Sequence, residues 1–438
     1  MLPRENTGQK ESFASPDHLR VGLYIYVDLP WFRHPFTLNS FKISSEDQIH
    51  QLRALKKPRF RYSATLSDSH AGGSPAMVPI DSEAMAAQSV VTREKVPVEA
   101  LAESDPRVQQ LRDYRQAVTR TEKAFVKAVG VVRRLNKNLH SEPADTLQEL
   151  GGLVDQMVSV FLERPEVTLQ VMGESCGGDE VYHHGLNVSV LCMMLAKGLA
   201  LTSEDARALG TGAMLHDIGL VDTPDHILRK SLDELTAPER TLRARHVDYG
   251  KQNGLRLGLA PETLTIIEQH HELADGTGYP RGLSLQQIAP LARVVSLVNA
   301  YDNLCNPVNY AQAMTPHEAL AYIFARRKNK YDAHVLQLMI RSLGVYPPGS
   351  IVKLSDESIA IVVSVNPHRP LRPWVMLHNA AIPRENAALL NLESEVDINI
   401  SKSIRPAVLP PGVYAYLSPR KRITYFFDGG LPLAEGKQ

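Results

Sequence analysis

The stretch HHELADGTGYP, from His270 to Pro280, combines two adjacent histidines, two acidic residues and a loop that contains two glycines. The preceding residues, PETLTIIEQ from Pro261, have helical spacing, with Ile266 and Ile267 one turn before the histidines. The histidine pair is therefore expected where the buried face of a helix ends, which is a favourable place for ligands. A histidine pair can also be purely structural, so its meaning depends on the rest of the chain.

The composition is that of an ordinary globular protein. A chain of 438 residues with 43% hydrophobic residues is long enough for about two to four domains. Lys plus Arg and Asp plus Glu are equal at 48 each, so no basic field would attract a nucleic-acid polymer or an anionic membrane. Three scattered cysteines form neither a disulfide framework nor a zinc ribbon. We read no signal peptide and no membrane span, and expect a cytoplasmic protein.

Changes in residue pattern divide the chain into five parts. Short β-rich runs around one helical segment predict a small α+β module over residues 11–65, and a stretch rich in Ala, Ser, Gly and Pro predicts a flexible linker over 66–106. A helical connector is expected over 107–170 and a nearly uniform helical region over 171–343. Short β-type runs with turn residues predict a β-rich module over 344–430. The fold class is therefore mainly α.

Other segments of the helical region place side chains that bind metals on the apolar faces of predicted helices. Glu180 and His184 are spaced i, i+4 and share one face. His216 and Asp217 close another helix, so both side chains emerge at its end. The remaining candidates are His246, in a helix opened by the capping box at Thr236 and Glu239, and Asn299 with Asp302 on a buried stripe beyond the glycine loop.

These candidates indicate a metal site because they occur together. A lone histidine on an apolar face is more often a core residue than a ligand. Imidazole and carboxylate groups hold divalent Fe, Mn, Ni or Zn, and two metals bridged by one carboxylate need about this set of ligands. The absence of thiolate ligands argues against a structural zinc site.

Taken jointly and in this order, the residues resemble the HD-GYP phosphodiesterases, a branch of the HD-domain metal-dependent phosphohydrolases. The resemblance covers residues 171–343. It is carried by HDIG at His216 to Gly219, by HHE followed by DGTGYP at His270 to Pro280, by His184 upstream and by His246 in between. The N-terminal stretch VGLYIYVDLPWFRHPFTLNSFKISSEDQI is similar to an uncharacterised domain that often precedes HD-GYP domains.

The resemblance implies an HD-type helical bundle that hydrolyses cyclic di-GMP, a bacterial second messenger, to a linear dinucleotide or to GMP. It implies two or three divalent transition metals, with Fe or Mn favoured and Ni or Zn as alternatives. A hydroxide between two metals would attack phosphorus in line while the metals stabilise the developing charge. GGDEF-type signalling proteins and a second copy of the chain are the candidate protein partners.

By position, the resemblance also assigns roles to residues of this chain. His216 and Asp217 are the catalytic pair, with Asp217 as the candidate bridging ligand. The loop residues expected to shape the site and its contacts are Asp275, Gly276, Gly278, Tyr279 and Pro280. The metal ligands are Glu180, His184, His216, Asp217, His246, His270, His271 and Asn299.

The chain departs from the family pattern at several positions. The family has a lysine that contacts substrate phosphate where this chain has Leu220, and an aspartate ligand where it has Asn299. An amide oxygen can coordinate a metal but carries no charge, so one metal would be held more weakly. We expect that Asp302, one turn further on, does not substitute. The segment from Asn306 to Tyr310 replaces an Arg-Pro-Tyr run and removes another phosphate contact.

Two alternatives remain open beside the enzyme. A degenerate HD-GYP domain could act as a cyclic-dinucleotide receptor or a protein-interaction module, which Asn299 and Leu220 favour. An HD phosphohydrolase could also act on another nucleotide. The number of retained buried titratable groups favours the enzyme, since a domain without catalysis has no reason to keep them.

Overall fold

The computed structural model describes residues 12–27, 40–63, 67–68, 106–138, 141, 143–163, 167, 169–172, 180–366, 369–395, 397–419 and 422–427. The chain divides into two compact units. The first runs to Pro97 and is grouped with the short stretch Phe324–Arg326, and the second comprises the rest of the chain from Val98.

The first unit is a small α+β fold. Its elements are β1 (Ser12–Ala14), β2 (Tyr24–Tyr26), β3 (Ser40–Lys42), α1 (Glu46–Ala54) and β4 (Phe60–Ser63). The strands form one antiparallel sheet in the order β1-β4-β2-β3. The Ser45 side chain accepts a hydrogen bond from the backbone N–H of Gln48 and caps α1, which buries Ile49 and Leu52 against the same core as Phe60. The predicted α+β character of the N-terminal module is confirmed.

The second unit is dominated by helices. Its helices before the C-terminal sheet are α2 (Pro106–Asn138), α3 (Pro143–Glu163), α4 (Glu180–Ala196), α5 (Ser203–Leu215), α6 (Asp225–Leu228), α7 (Ala237–Ala244), α8 (His246–Arg256), α9 (Pro261–Gln269), α10 (Pro290–Cys305), α11 (Pro316–Tyr322) and α12 (Ala333–Leu343), with strand β5 (Leu169–Val171) between α3 and α4. The capping box predicted at Thr236 and Glu239 opens α7. This helix ends at Ala244, however, so the prediction that it contains His246 is wrong. His246 is the first residue of α8, because the chain leaves regular helical geometry at Arg245, where ψ is −9°.

Helix α4 is the centre of this unit and packs against α2, α3, α5, α10 and α12. Leu186, Val188, Leu191 and Leu195 are all fully buried, as expected for a helix that is covered on every side. Gly185 permits the closest approach to α5, because a Cβ atom there would lie 2.6 Å from the carbonyl oxygen of Met214. The ends of α4 and α5 that carry histidines are thereby brought together.

The C-terminal part adds a five-stranded antiparallel sheet, in the order β10-β6-β7-β8-β9, and a further strand pair. The elements are β6 (Ile351–Leu354), β7 (Ile359–Ser364), β8 (Trp374–Leu377), β9 (Leu389–Asn391), β10 (Ile400–Ile404), α13 (Pro411–Leu417) and β11 (Tyr425–Phe427). Strand β11 lies outside the five-stranded sheet and pairs with β5, which precedes α4. Strand β11 thus brings the chain back to the helical core.

These observations confirm a mainly α protein with small sheets near both ends. None of the described helices is both long and apolar enough to cross a membrane. The domain boundaries drawn from the sequence stay predictions. The predicted linker over 66–106 lies outside the described residues, apart from positions 67, 68 and 106.

Candidate metal centre

Helix ends deliver most of the candidate ligands. His216 is the C-cap of α5, His270 is the C-cap of α9, and Asp217 and His271 follow directly. His246 opens α8. Gly219 lies against the backbone of α8, where any side chain would collide with the carbonyl of His246, so the turn after Asp217 can pack closely there. Residues far apart in sequence therefore meet at one point.

The ligand atoms form two groups that share one carboxylate. One group comprises Asp217, His246, His270 and His271, and the other comprises His184, His216 and Asp217, with the ligand atoms of each group within 4.8 Å of one another. Oδ1 of Asp217 lies 3.2 Å from Nε2 of His246 and 3.5 Å from Nε2 of His270. Oδ2 lies 3.5 Å from Nε2 of His216 and 3.7 Å from Nε2 of His184. Each carboxylate oxygen thus faces its own pair of imidazoles.

Hydrogen bonds orient three of the rings in the same way. Nδ1 of His216, His246 and His270 lies 2.7, 2.8 and 2.8 Å from the backbone carbonyl oxygen three residues earlier. A carbonyl can only accept, so each Nδ1 carries the proton and each Nε2 presents a lone pair to the cluster. Nε2 of His246 lies 3.3 Å from Nε2 of His270, and two lone pairs cannot bond to each other. This donor set fits divalent cations, which convert the opposed lone pairs into ligands.

Burial keeps these rings in the form that binds metals. Desolvation lowers the pKa of His216 to about 3 and also lowers the pKa values of His270 and His271. Burial alone would raise the pKa of Asp217, but the rings around it, with His216 first and then His246 and His270, hold it well below its usual range. At neutral pH His216, His270 and His271 are therefore neutral imidazoles beside an ionised Asp217, which is the protonation state that metal ligation requires.

His184 is held differently, by a carboxylate from α10. Its Nδ1 lies 2.5 Å from Oδ2 of Asp302, which is 2% exposed, and its Nε2 lies 3.2 Å from Nε2 of His216. Burial lowers the pKa of His184, but the hydrogen bond and charge of Asp302, together with Asp217 and Asn299, leave it raised. Asp302 thus orients a candidate ligand and lies behind it. The sequence reading left this role unassigned, and an acid on the buried face of α10 was the only signal for it.

Asn299 lies beside His184. It is 3% exposed, and a hydrogen bond with it is among the interactions that raise the pKa of His184. Its Oδ1 accepts a hydrogen bond of 2.6 Å from Nδ2 of Asn303. Glu180 is the first residue of α4, and its side chain lies outside the described part of the structure.

The loop after the histidine pair covers one side of the cluster. The ring of Tyr279 stacks on the ring of His271, with centroids 4.5 Å apart, and the Tyr279–Pro280 peptide bond is cis. Glu272, which the sequence reading did not single out, is 1% exposed and accepts hydrogen bonds from the backbone N–H groups of Arg281 and Leu283 at 2.7 and 2.8 Å. A buried acid directly after two histidines could have indicated this anchoring role.

Three other predicted loop residues build the loop itself. Oδ1 of Asp275 accepts hydrogen bonds from the backbone N–H and the hydroxyl of Thr277, and Gly276 has a φ of +75°, which a side chain would strain. Gly278 packs directly on the backbone of Leu273. Asp275 is not in either ligand group found among the described residues.

One guanidinium nitrogen at this corner is buried without a hydrogen-bond partner among the described residues. Arg243 is partly buried, and its Nη1 has no hydrogen-bond partner among the described residues, although its backbone carbonyl accepts from His246. Burial and the charge of Asp217 raise the pKa of Tyr279, and the charge of Arg243 acts in the opposite direction, so the guanidinium lies near that ring. Buried polar groups are usually hydrogen-bonded in proteins, so this nitrogen is a donor that a molecule bound at this corner could use.

Two family models match the chain. Residues 160–335 match the HD domain, and residues 14–150 match DUF3391, a domain of unknown function. The cyclic di-GMP phosphodiesterase PA4108 of Pseudomonas aeruginosa is 27% identical over 372 residues, which are 83% of this chain and 84% of that protein. The chain is thus similar to a relative over most of its length.

Other relatives match shorter parts of the chain. The cyclic di-GMP phosphodiesterase response regulator RpfG of Xanthomonas campestris pv. campestris is 33% identical over 150 residues, 34% of this chain and 39% of that protein. The 3'3'-cGAMP-specific phosphodiesterase 3 of Vibrio cholerae is 31% identical over 166 residues, 37% of this chain and 35% of that protein. The recognition made from the motifs is confirmed, because a match to the HD domain follows a match to DUF3391 in this chain.

Proposed function

We propose that this protein is a metal-dependent phosphodiesterase that hydrolyses cyclic di-GMP. The observation that carries the proposal is the Asp217 carboxylate, each of whose oxygens faces a separate pair of imidazole nitrogens. This is the arrangement required of a ligand that bridges two cations. The HD domain and relatives named as cyclic di-GMP phosphodiesterases support a phosphodiesterase.

The residues divide between two candidate cation sites. His184, His216 and Asp217 would hold one ion, and Asp217, His246, His270 and His271 would hold the other. Mixed imidazole and carboxylate ligands suit Fe or Mn, with Ni or Zn as alternatives. When bound, such ions supply a water acidic enough to attack phosphorus at neutral pH and positive charge for the transition state. Asn299 could add a neutral oxygen to the first site, and Glu180 remains a candidate ligand by family resemblance.

The protein's own contribution is to fix this geometry in advance. Hydrogen bonds from Nδ1 to helix carbonyls hold three rings with Nε2 toward the cluster, so no reorganisation is needed when the ions bind. Tyr279 covers His271 and limits the access of water from that side. Catalysis by positioning and fixed charge requires no covalent intermediate on the protein.

Arg243 is our candidate for the phosphate contact that Leu220 cannot make. An arginine guanidinium can bind two phosphate oxygens at once, and a bound phosphate would satisfy the buried Nη1 atom. The nearby Tyr279 ring is partly exposed at 36% and offers an aromatic face for a nucleobase. Neither group would be needed by a site that held metal alone.

One alternative function has an observation in its favour. Oδ1 of Asn299 is already engaged by Asn303, and an amide at this position supplies no charge, so a receptor that binds cyclic dinucleotides without hydrolysis fits the same pocket. The likeness to 3'3'-cGAMP-specific phosphodiesterases makes that dinucleotide a competing substrate. A cytoplasmic location, GGDEF-type partners and a homodimer are further proposals that rest on the family resemblance.

Product analysis separates these possibilities. Purified protein loaded with Mn or Fe is incubated with cyclic di-GMP and, separately, with 3'3'-cGAMP, and the products are resolved by chromatography. We expect linear dinucleotide or GMP from cyclic di-GMP, and no product from the Asp217→Asn variant. Binding of cyclic di-GMP without product would favour the receptor, and faster hydrolysis of 3'3'-cGAMP would change the assigned substrate.

A further inference from the structure

The last described strand of the chain lies inside the helical core. Strand β11 pairs antiparallel with β5, with Tyr425 opposite Val171. Tyr425, Phe426 and Phe427 are 0%, 1% and 4% exposed. The ring of Phe426 packs on that of Phe125 in α2, with centroids 5.5 Å apart, and the ring of Phe427 packs on that of Phe161 in α3 at 5.0 Å. Packing on two helices fixes the position of this strand.

Two asparagines bind the backbone of this segment. The N–H of Ile423 donates to Oδ1 of Asn306 at 2.9 Å, and Nδ2 of Asn306 donates to the carbonyl of Ile423 at 2.9 Å. The N–H of Tyr425 donates to Oδ1 of Asn187 at 2.7 Å, and Nδ2 of Asn187 donates to the same Ile423 carbonyl at 3.2 Å. A backbone N–H can only donate, so the side-chain atom that accepts from it must be Oδ1, and the other amide atom, Nδ2, must be a donor.

The same amides then hold the carboxylate behind the metal centre. Nδ2 of Asn187 and Nδ2 of Asn306 donate to Oδ1 of Asp302 at 2.5 and 2.8 Å. The other oxygen of Asp302 lies 2.5 Å from Nδ1 of His184. A continuous series of hydrogen bonds therefore runs from the backbone of Ile423 and Tyr425, through two asparagines and one aspartate, to a candidate ligand.

His184 depends on this series more than the other rings depend on distant residues. Each of the rings of His216, His246 and His270 is bonded to a carbonyl three residues earlier, which local helix geometry supplies. The support of His184 comes from Asp302, 118 residues away, and through it from the C-terminal segment. Loss of that segment would leave the rings of His216, His246 and His270 oriented and would release the ring of His184.

We infer that the segment Ile423–Phe427 is a positioning element of the metal centre, which holds His184 in place through Asn187, Asn306 and Asp302. The inference rests on the proposed function, because it takes His184 as a metal ligand. Partners behind a ligating histidine change metal affinity about 10- to 100-fold when they are removed. The effect should fall on the ion held by His184 and His216 and spare the ion held by His246, His270 and His271.

The test compares two asparagine variants in the full-length chain. Asn306→Ala removes the donor to Asp302 and both bonds to Ile423. Asn309→Ala makes the same chemical change in an exposed turn, where the Asn309 side chain accepts from the N–H of Ala311. The metal equivalents kept per chain are measured by elemental analysis against rising chelator concentration. The absorption spectrum of the cobalt-substituted protein gives a second reading of each site.

We expect Asn306→Ala to lose one of two equivalents at about 10- to 100-fold lower chelator, with one of the cobalt signals altered, and Asn309→Ala to match the wild type. Asn306→Asp keeps the acceptor for Ile423 but faces Asp302 with a second carboxylate, so it should lose the same ion more completely. Equal loss of both ions, or full retention in a metal-binding background, would overturn the inference alone. A wild-type protein that holds no metal would overturn the proposed function together with it.

Discussion

Replacing Asn299 by aspartate is the change that best separates an enzyme from a degenerate module. Asn299 is 3% exposed beside His184, and Nδ2 of Asn303 would remain as a donor to a new carboxylate. Unit charges 4 Å apart interact by about 4 kcal/mol at an effective dielectric of 20, and a divalent ion doubles this figure. Desolvation of a buried carboxylate opposes the attraction by several kcal/mol. Repulsion from Asp302 and Asp217 opposes it further.

The effect of Asn299→Asp on the stability of the protein should therefore depend on whether metal is present. With metal, a surviving gain of about 1.4 kcal/mol would tighten binding and raise turnover roughly tenfold. Without metal, an uncompensated buried charge should destabilise the protein by about 3 kcal/mol or more. We therefore expect Asn299→Asp to destabilise the protein without metal and to stabilise it, or leave it unchanged, with metal.

The assay is thermal unfolding of wild type, Asn299→Asp and Asn299→Ala, each with excess chelator and with excess Mn, beside the rate of cyclic di-GMP hydrolysis. The aspartate variant should unfold at a lower temperature than wild type in chelator and at an equal or higher temperature in Mn. Asn299→Ala should lower metal affinity. A shift of the same sign in both conditions, with no gain in rate, would mean that residue 299 does not face a metal.

Three further changes test the substrate contact and the loop. Arg243→Ala should raise KM for cyclic di-GMP by about 10- to 100-fold, because a charge-assisted contact is lost, while metal content stays unchanged and Arg243→Lys restores part of the affinity. Gly276→Ala should lower the free energy of unfolding by about 1–2 kcal/mol in denaturant titrations, because φ at this position is +75°. Glu272→Gln should also destabilise the protein, by about 1–3 kcal/mol. Each carboxylate oxygen of Glu272 accepts from one N–H group, of Arg281 or of Leu283, and a glutamine amide has only one oxygen.

Each of these expectations has a contradicting result. An Arg243→Ala variant with normal KM and reduced metal would make Arg243 a support of His246 and not a phosphate contact. Gly282→Ala, at a φ of +63° in the same loop, is the matched control for Gly276, and a cost at one position only would indicate that contacts and not backbone strain decide the outcome. A Glu272→Gln variant as stable as the wild type would remove its anchoring role.

Local patterns in the sequence were enough to place several candidate ligands on helix ends. The capping box before α7 and the apolar spacing before His270 are short-range signals, and the structure has helix boundaries close to both. The start of α8 was missed because a break of one residue at Arg245 leaves no mark in apolar periodicity. Where the sequence carries a helical period, boundaries could be predicted to within a few residues.

Contacts between distant residues could not be predicted in the same way. The pairing of His184 with Asp302 and of β5 with β11 joins segments that are far apart in the chain, and no local spacing encodes which segments meet. The close packing of Gly219 on the backbone at His246 is a further contact that only the folded chain can reveal.

The central claim, that two cations bridged by Asp217 drive phosphodiester hydrolysis, is tested most directly by metal titration of the metal-free protein. Mn or Fe is added in steps, bound equivalents per chain are counted, and the initial rate of cyclic di-GMP hydrolysis is measured at each step. We expect the rate to stay low through the first equivalent and to rise as the second is bound. Full activity in excess chelator, or no hydrolysis after two equivalents are bound, would contradict the claim.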